Sequence, residues 1–191
     1  MHIKINILIL LSLGRIAAAD TLPEARSLFT FRNADAALQW QTVNDGVMGG
    51  RSDGRFQINN DRNLEFFGTL SLANNGGFAS VRSRETSLRL ASGDSIIMKV
   101  RGDGREYTLN LYTAARRTAF SYRVTFPTKT GEWTEVNVPL SKFVATSFGR
   151  VVANERLKPE QVTGIGILLG DKKSGAFKLE IESIAVRSAP Q

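Results

Sequence analysis

The residues best suited to chemistry in this chain lie in one short stretch, residues 40–56 (WQTVNDGVMGGRSDGRF). Asp and Asn cap their own turns and tolerate left-handed backbone, and Gly takes positive φ without steric cost, so we expect a tightly turned loop. Large apolar residues bracket the stretch and recur in its middle, which predicts that the loop is held against a core. We expect the loop to present polar side chains at one rim: Asn44, Asp45, Arg51, Ser52 and Asp53. The alternative is a structural Ω-type loop that only connects strands.

One segment of this loop, residues 50–54 (GRSDG), matches the G-x-S-x-G pattern of a serine nucleophile. That pattern needs a strand before it, a helix after it and a histidine partner. The chain has no cysteine and a single histidine, His2, which lies in a predicted leader. Serine–histidine and cysteine–histidine catalysis and the usual zinc sites therefore lack their residues. We predict a protein that is not an enzyme, with no catalytic residues, no metal ligands and no cofactor.

Two chemistries that need no histidine stay open at this point. A glycosidase uses a pair of carboxylates, and a calcium ion is held by loop carboxylates and carbonyls. The acidic residues of this chain lie mostly in Asp-Gly turns or on predicted strand faces, where solvated or turn-capping roles are commoner.

Sugar binding would need an exposed aromatic plane beside hydrogen-bonding side chains. Four predicted strands offer such groups: Trp133 with Glu135 and Asn137, Tyr112 with Asn110, and Arg82 or Arg123. An aromatic residue on a strand fits the core equally well, and Trp40 fits there better than Trp133 does.

The first twenty residues (MHIKINILILLSLGRIAAAD) have the layout of a secretory signal peptide. Lys4 precedes an apolar run that is too short to span a bilayer comfortably, and Ala17 and Ala19 form an Ala-x-Ala cleavage site. We predict a signal peptide over residues 1–19, an arm over 20–27 and one domain over 28–188. The protein would be exported, periplasmic or secreted, and the alternative is a mitochondrial location.

The charge of the chain is mildly basic. It has 25 Lys and Arg against 18 Asp and Glu, a formal net charge of +7, spread along the sequence. Nucleic-acid binding needs a basic stripe or a known motif, and neither occurs, so we predict no nucleic-acid partner. Past the leader, no apolar run reaches membrane length, so we predict no stable membrane span.

The rest of the chain has the pattern of an all-β protein. In residues 120–126 (FSYRVTF) every second residue is large and apolar, which is typical of a sheet with one buried face. In residues 133–138, Val136 and Val138 should face the core and Trp133 the opposite side. The last strand loses its alternation at Glu182 and Ser183, where we expect a bulge. About nine or ten strands and hardly any helix predict a single β-sandwich, a jelly roll.

The glycine-rich loop also begins a resemblance that runs along the chain. The pattern W-x-x-V-N-D-G-V-M-G-G-x-S resembles the opening signature of the complex I intermediate-associated protein family. Further matching segments follow in the family's order: residues 78–82, 103–107, 122–126, 133, 138–143 and 164–166. The resemblance covers roughly residues 29–186 and implies a galactose-binding-like sandwich, a fold similar to that of many carbohydrate-binding modules.

This resemblance implies a binding protein. In mitochondria, members of the family are assembly factors for respiratory complex I, non-catalytic and chaperone-like binders of subunits or other assembly factors. The alternative is an exported carbohydrate-binding module. An apolar patch at Val47 and Met48 would favour a protein partner, and an exposed Trp133 or Tyr112 in a shallow groove would favour a glycan. The predicted ligand- or partner-binding residues are Trp40, Asn44, Asp45, Met48, Arg51, Ser52, Arg82 and Trp133.

Overall fold

The computed structural model describes residues 24–115 and 119–189, which fold into two antiparallel sheets packed face to face. The predicted signal peptide, residues 1–19, lies outside the described residues. Sheet A contains β1 (Arg26–Thr30), β3 (Asp53–Ile58), β4 (Leu64–Leu70), β6 (Ser95–Arg101), β9 (Trp133–Pro139) and β13 (Gly175–Arg187). Sheet B contains β2 (Trp40–Thr42), β5 (Ala79–Ser83), β7 (Glu106–Thr113), β8 (Phe120–Pro127), β10 (Val144–Ser147), β11 (Arg150–Val151) and β12 (Val162–Leu169).

The predicted all-β sandwich is confirmed. In the part of the chain that the structure describes, helical backbone is limited to five short 3₁₀ turns: Ala36–Gln39, Asp45–Met48, Ala73–Asn75, Leu140–Lys142 and Pro159–Gln161. The described strands number thirteen, more than the sequence predicted. The difference comes from short strands at or near the edges of sheet B, such as β2, β10 and β11, of three, four and two residues, which are too short to show an alternating pattern. None of these helical turns is long or apolar enough to cross a bilayer.

Sheet A has the order β3-β4-β13-β6-β9, and β13 organises it. The first half of β13 pairs with β4, the second half with β1, and its other edge with β6. The register shifts between Ile181 and Ser183, so the predicted bulge is confirmed. β1 begins at Arg26, two residues before the predicted domain boundary, because this end of the chain adds a strand to β13.

Sheet B has the order β11-β10-β8-β7-β12-β5-β2. The inward side chains of its central strands, such as Leu109, Ile165 and Ile167, are fully buried against inward residues of sheet A, such as Phe66 and Leu179. Since the inward residues fill the core, the outward residues of these same strands form the second face of sheet B.

The two tryptophans lie in different environments. Trp40 is 3% exposed and packs edge-on against Phe29, with ring centroids 5.1 Å apart. Trp133 pairs with Arg101 on the outer face of sheet A, whereas Val138 of the same strand is buried. The predicted orientation of β9 is therefore confirmed.

Candidate binding groove on sheet B

The glycine-rich loop is built around a buried carboxylate. Asp45 is fully buried. Its Oδ1 accepts a hydrogen bond from the Ser52 backbone N–H at 2.9 Å, and its Oδ2 accepts from the Ser52 hydroxyl at 2.6 Å. The Gly77 and Phe78 backbone N–H groups also donate to Oδ2, at 2.6 and 3.2 Å. Asp45 therefore joins its own loop to the turn that precedes β5.

The same contacts keep this carboxylate ionised. Burial by itself would raise the pKa of Asp45, but the hydrogen bonds from Ser52, Gly77 and Phe78 outweigh it, and the net pKa is lowered. A Cβ on Gly50 would lie 2.3 Å from Asp45 Cγ, so the glycine there is needed for the backbone to approach.

The loop presents fewer polar side chains than the sequence suggested. Asp45 and Ser52 are 0% and 9% exposed, so the prediction that they lie at the rim is wrong. They turn inward because backbone N–H groups of the loop and of residues 77–78 need an acceptor. Arg51 and Asp53 are exposed, and the half-buried Asn44 donates to the Gly54 carbonyl at 2.9 Å. The loop also exposes two apolar side chains, since Val47 and Met48 are 74% and 60% exposed.

A groove of about 520 Å³ lies on the outer face of sheet B. Strand pairing places one row of outward residues across it. Gln41 lies opposite Arg82, Arg82 and Asn110 both flank Gly166, and Asn110 lies opposite Arg123. In this row, Gly166 and Asn110 lie between the two arginines.

The glycines of β12 make room for this arrangement. A Cβ at Gly166 would lie 3.0 Å from Tyr112 Cε2 and 3.1 Å from Arg82 Cγ. Without a side chain at Gly166, the Tyr112 ring and the Arg82 stem can lie over β12. The Arg82 guanidinium carbon is 5.1 Å from the centre of the Tyr112 ring, a cation–π distance.

Neutral groups hold both arginines in place. Arg82 Nε donates to the Ser80 hydroxyl at 3.0 Å, and Arg123 Nε donates to the Thr146 hydroxyl at 2.6 Å. Burial lowers the pKa of the Arg123 guanidinium below its ordinary value. Burial raises the pKa of Tyr112, while the positive charges of Arg82 and Arg123 act in the opposite direction.

The groove has an apolar rim, by which we mean Met48 and Phe148. They come from loops at opposite edges of sheet B, both line the groove, and they are 60% and 65% exposed. Val144, which is 46% exposed, lies opposite Arg123 on β10 and adds to this surface. The groove therefore combines a cationic, hydrogen-bonding floor with apolar edges.

Trp133 does not belong to this groove. It lies on sheet A, where Arg101 Cζ and Lys99 Nζ stand 4.9 and 5.7 Å from its ring centre. Those cations pair in turn with Glu180 and Glu182. Trp133 and Arg82 therefore lie on different sheets. Arg82 lines the same groove as Met48 of the loop.

Of the predicted site residues, only Met48 and Arg82 line the groove, and the prediction omitted Phe148 and the glycine floor. The Gly164-Ile165-Gly166 alternation was the one sequence signal for that floor. Among the described residues, no group of three or more His, Cys, Asp or Glu side chains is arranged to hold a metal ion.

Comparison with protein families identifies one match. The sequence model of a family described as complex I intermediate-associated protein 30 matches residues 29–181. The chain is 28% identical to the mitochondrial complex I intermediate-associated protein 30 of Mus musculus, over 93% of this chain and 60% of that protein. It is also 28% identical to the Drosophila melanogaster protein of the same name, over 87% of this chain and 64% of that protein.

The chain thus spans less than two thirds of the length of these relatives. Both are named as mitochondrial, which agrees with the alternative location considered above and gives no support to export.

Solved structures of similar fold include carbohydrate-related proteins. A family 11 carbohydrate-binding module from Clostridium thermocellum, in complex with a β-1,3-1,4-mixed-linked tetrasaccharide, has a TM-score of 0.66 and 14% identity. The match covers 87% of this chain and 97% of that one. An agarase has a TM-score of 0.61 and 10% identity, over 87% of this chain and 25% of that one. At such identities the likeness shows the fold alone.

Proposed function

Because the chain belongs to the complex I intermediate-associated protein 30 family, we propose that it is a non-catalytic assembly protein that binds a polypeptide in the groove of sheet B. The proposed partner is a subunit of respiratory complex I or another assembly protein, since the relatives are named for their association with complex I intermediates.

The observation that carries this proposal is the apolar rim. Met48 and Phe148 are more than half exposed on opposite sides of one concavity. Exposed apolar side chains around a groove mark protein interaction sites, because covering them removes apolar surface from water. Val47 at 74% exposure extends the rim on the loop side.

The two rings that would favour the glycan alternative, Tyr112 and Trp133, are both covered by cations. A sugar ring stacks on an open aromatic face, but Arg82 lies over the Tyr112 ring, and Arg101 and Lys99 lie over the Trp133 ring. The feature that would favour a protein partner, an exposed Val47 and Met48, is present.

The proposal is tested by affinity capture. The full tagged chain serves as bait in a membrane extract of the source cell, in three versions: wild type, the double variant Met48→Gln/Phe148→Gln, and Leu38→Gln as a control. Leu38 is 72% exposed but lies outside the groove lining. We expect complex I subunits or assembly proteins with the wild type and the control, and their loss with the double variant.

Each rim side chain that is buried in a complex contributes about 1.5–3 kcal/mol, so the double variant should weaken capture by well over tenfold. Thermal unfolding of the three proteins should coincide, because exposed substitutions change stability little. Capture that is equal in all three versions, or capture of glycans alone, would overturn the proposal.

A further inference from the structure

We propose that the groove holds a carboxylate between Arg82 and Arg123, and that this carboxylate belongs to an acidic residue with apolar neighbours in the bound polypeptide. The identity of the occupant as a polypeptide rests on the proposed function above, whereas the carboxylate site can be tested on this protein alone.

The geometry of sheet B places the two arginines in the lining of one groove. They stand in one row, on β5 and β8, with β12 and β7 between them. Neighbouring strands are about 4.8 Å apart, so the three spacings from β5 to β8 add up to roughly 14 Å between the two backbones. Two long side chains and a small ligand fit within that distance. Tyr112 lies between the arginines, and both charges act on it. Gly166 lets the Tyr112 ring and the Arg82 stem lie low over the centre of the row.

Neither arginine has a counter-ion among the described residues, 24–115 and 119–189. The only hydrogen bonds of their side chains in that part of the chain run from Nε to the Ser80 and Thr146 hydroxyls, which leaves the terminal nitrogens available. The one carboxylate of the described groove lining is Glu85, which already has an interaction partner.

Other poorly exposed arginines of this protein are paired with acids. Arg105 donates to both carboxylate oxygens of Asp171, at 2.6 and 2.9 Å. Arg101 donates to Glu180 at 2.7 Å. Arg82 and Arg123 therefore differ from these arginines, because neither has an acidic partner among the described residues. A desolvated cation without a partner is costly, and an incoming carboxylate would relieve that cost through charge-assisted, bidentate hydrogen bonds.

The apolar rim decides which source of carboxylate fits. A free anion would leave Met48 and Phe148 uncovered, and a neutral sugar would leave the two arginines without a counter-charge. In a peptide with an acidic side chain between apolar residues, the carboxylate would pair with the two arginines and the apolar residues would cover Met48 and Phe148. Charge complementarity with two arginines that have no counter-ion supports this occupant.

The test uses the full chain labelled with ¹⁵N-arginine and titrated with sodium acetate, while the Nε–H signals are followed by NMR. We expect saturable shifts of the Arg82 and Arg123 signals, with a Kd on the order of 1–10 mM. Arg82→Gln and Arg123→Gln should each weaken acetate binding by about tenfold or more. Arg55→Gln removes the same charge from an exposed ion pair on sheet A and should leave the titration unchanged.

Absence of saturable shifts, or equal binding in Arg82→Gln, Arg123→Gln and the control, would overturn the carboxylate site. Parallel titrations use inorganic phosphate and a neutral mixed-linked glucan tetrasaccharide. Binding of either one in the absence of acetate binding would assign the groove to a phosphorylated ligand or to a sugar, and would also overturn the inference.

The capture experiment separates this inference from the proposed function. If Arg82→Gln/Arg123→Gln captures the same complex I proteins as the wild type while Met48→Gln/Phe148→Gln loses them, the proposed function stands and the carboxylate inference fails. If acetate binds at the arginines but no complex I protein is captured, the anion site stands and the proposed function fails.

Discussion

Asp45 shows how a single residue can organise a glycine-rich loop. Its carboxylate accepts hydrogen bonds from one hydroxyl and three backbone N–H groups, drawn from its own loop and from residues 77–78. Gly50 and Gly76 are needed beside it, because a Cβ on either would lie 2.3 or 2.5 Å from the Asp45 carboxylate group. Asp45 therefore acts on the groove indirectly, by fixing the loop that carries Met48.

Replacing this carboxylate should destabilise the protein. Asp45→Ala leaves buried N–H groups without acceptors, at about 1–3 kcal/mol for each unsatisfied group, so we expect a loss of about 3 kcal/mol or more in the free energy of unfolding. Urea denaturation measures it. Asp53→Ala is the matched control, because the Asp53 side chain is exposed and, among the described residues, pairs with Arg55 alone, so the unfolding midpoint of this variant should not move. Equal midpoints for both variants would contradict the structural role of Asp45.

Strand β12 is the element that gives the groove its shape. Its inward residues Ile165 and Ile167 are fully buried in the core, while Gly164 and Gly166 point outward beneath Tyr112. The strand thus packs into the core with one face, and on the other face it lets the Tyr112 ring and the Arg82 stem lie close to the backbone.

The two glycines should differ when each is replaced by alanine. A Cβ at Gly164 would meet its nearest neighbours at 3.6 and 3.7 Å, which is ordinary contact, whereas a Cβ at Gly166 would lie 3.0 Å from the Val81 carbonyl oxygen. We expect Gly166→Ala to cost about 1–2 kcal/mol in the free energy of unfolding and to displace Arg82, and Gly164→Ala to stay within about 1 kcal/mol of the wild type. Urea denaturation measures the free energies, and the acetate titration reports the groove. The reverse order of the two variants would contradict this account.

At the scale of the whole molecule, ionised carboxylates hold distant regions of the sandwich. Burial alone would raise the pKa values of Asp171 and Glu180, but the pKa of each is lowered, as for Asp45, because hydrogen bonds and charges from Arg105 and Arg101 outweigh burial. One carboxylate lies in the glycine-rich loop, one in the turn before β13, and one on the outer face of sheet A. All three are tied to the fold in the charged form.

The protein should therefore lose stability in acid. A carboxylate whose folded-state pKa is depressed contributes its full stability above the unfolded-state value, about 3.9 for Asp and 4.3 for Glu, and loses it as the pH falls through the lower folded-state value. We expect the urea midpoint to fall between pH 5 and pH 3. Asp45→Asn should lose less stability over that interval than the wild type does. An unchanged midpoint at pH 3 would contradict the assignment of these carboxylates as ionised anchors.

The sequence by itself determined the fold class, the outward face of β9 and the bulge in β13, because period-2 alternation is a local property that records which side of a strand faces the core. It also carried the family signature. Only the tertiary structure decided which residues became neighbours. Arg82 and Arg123 meet in one groove, Trp133 lies on the other sheet, and Asp45 turns inward. These outcomes depend on the order and register of strands that are distant in sequence, and on backbone N–H groups that need an acceptor. The alternation of apolar and polar residues within one segment contains no information on either.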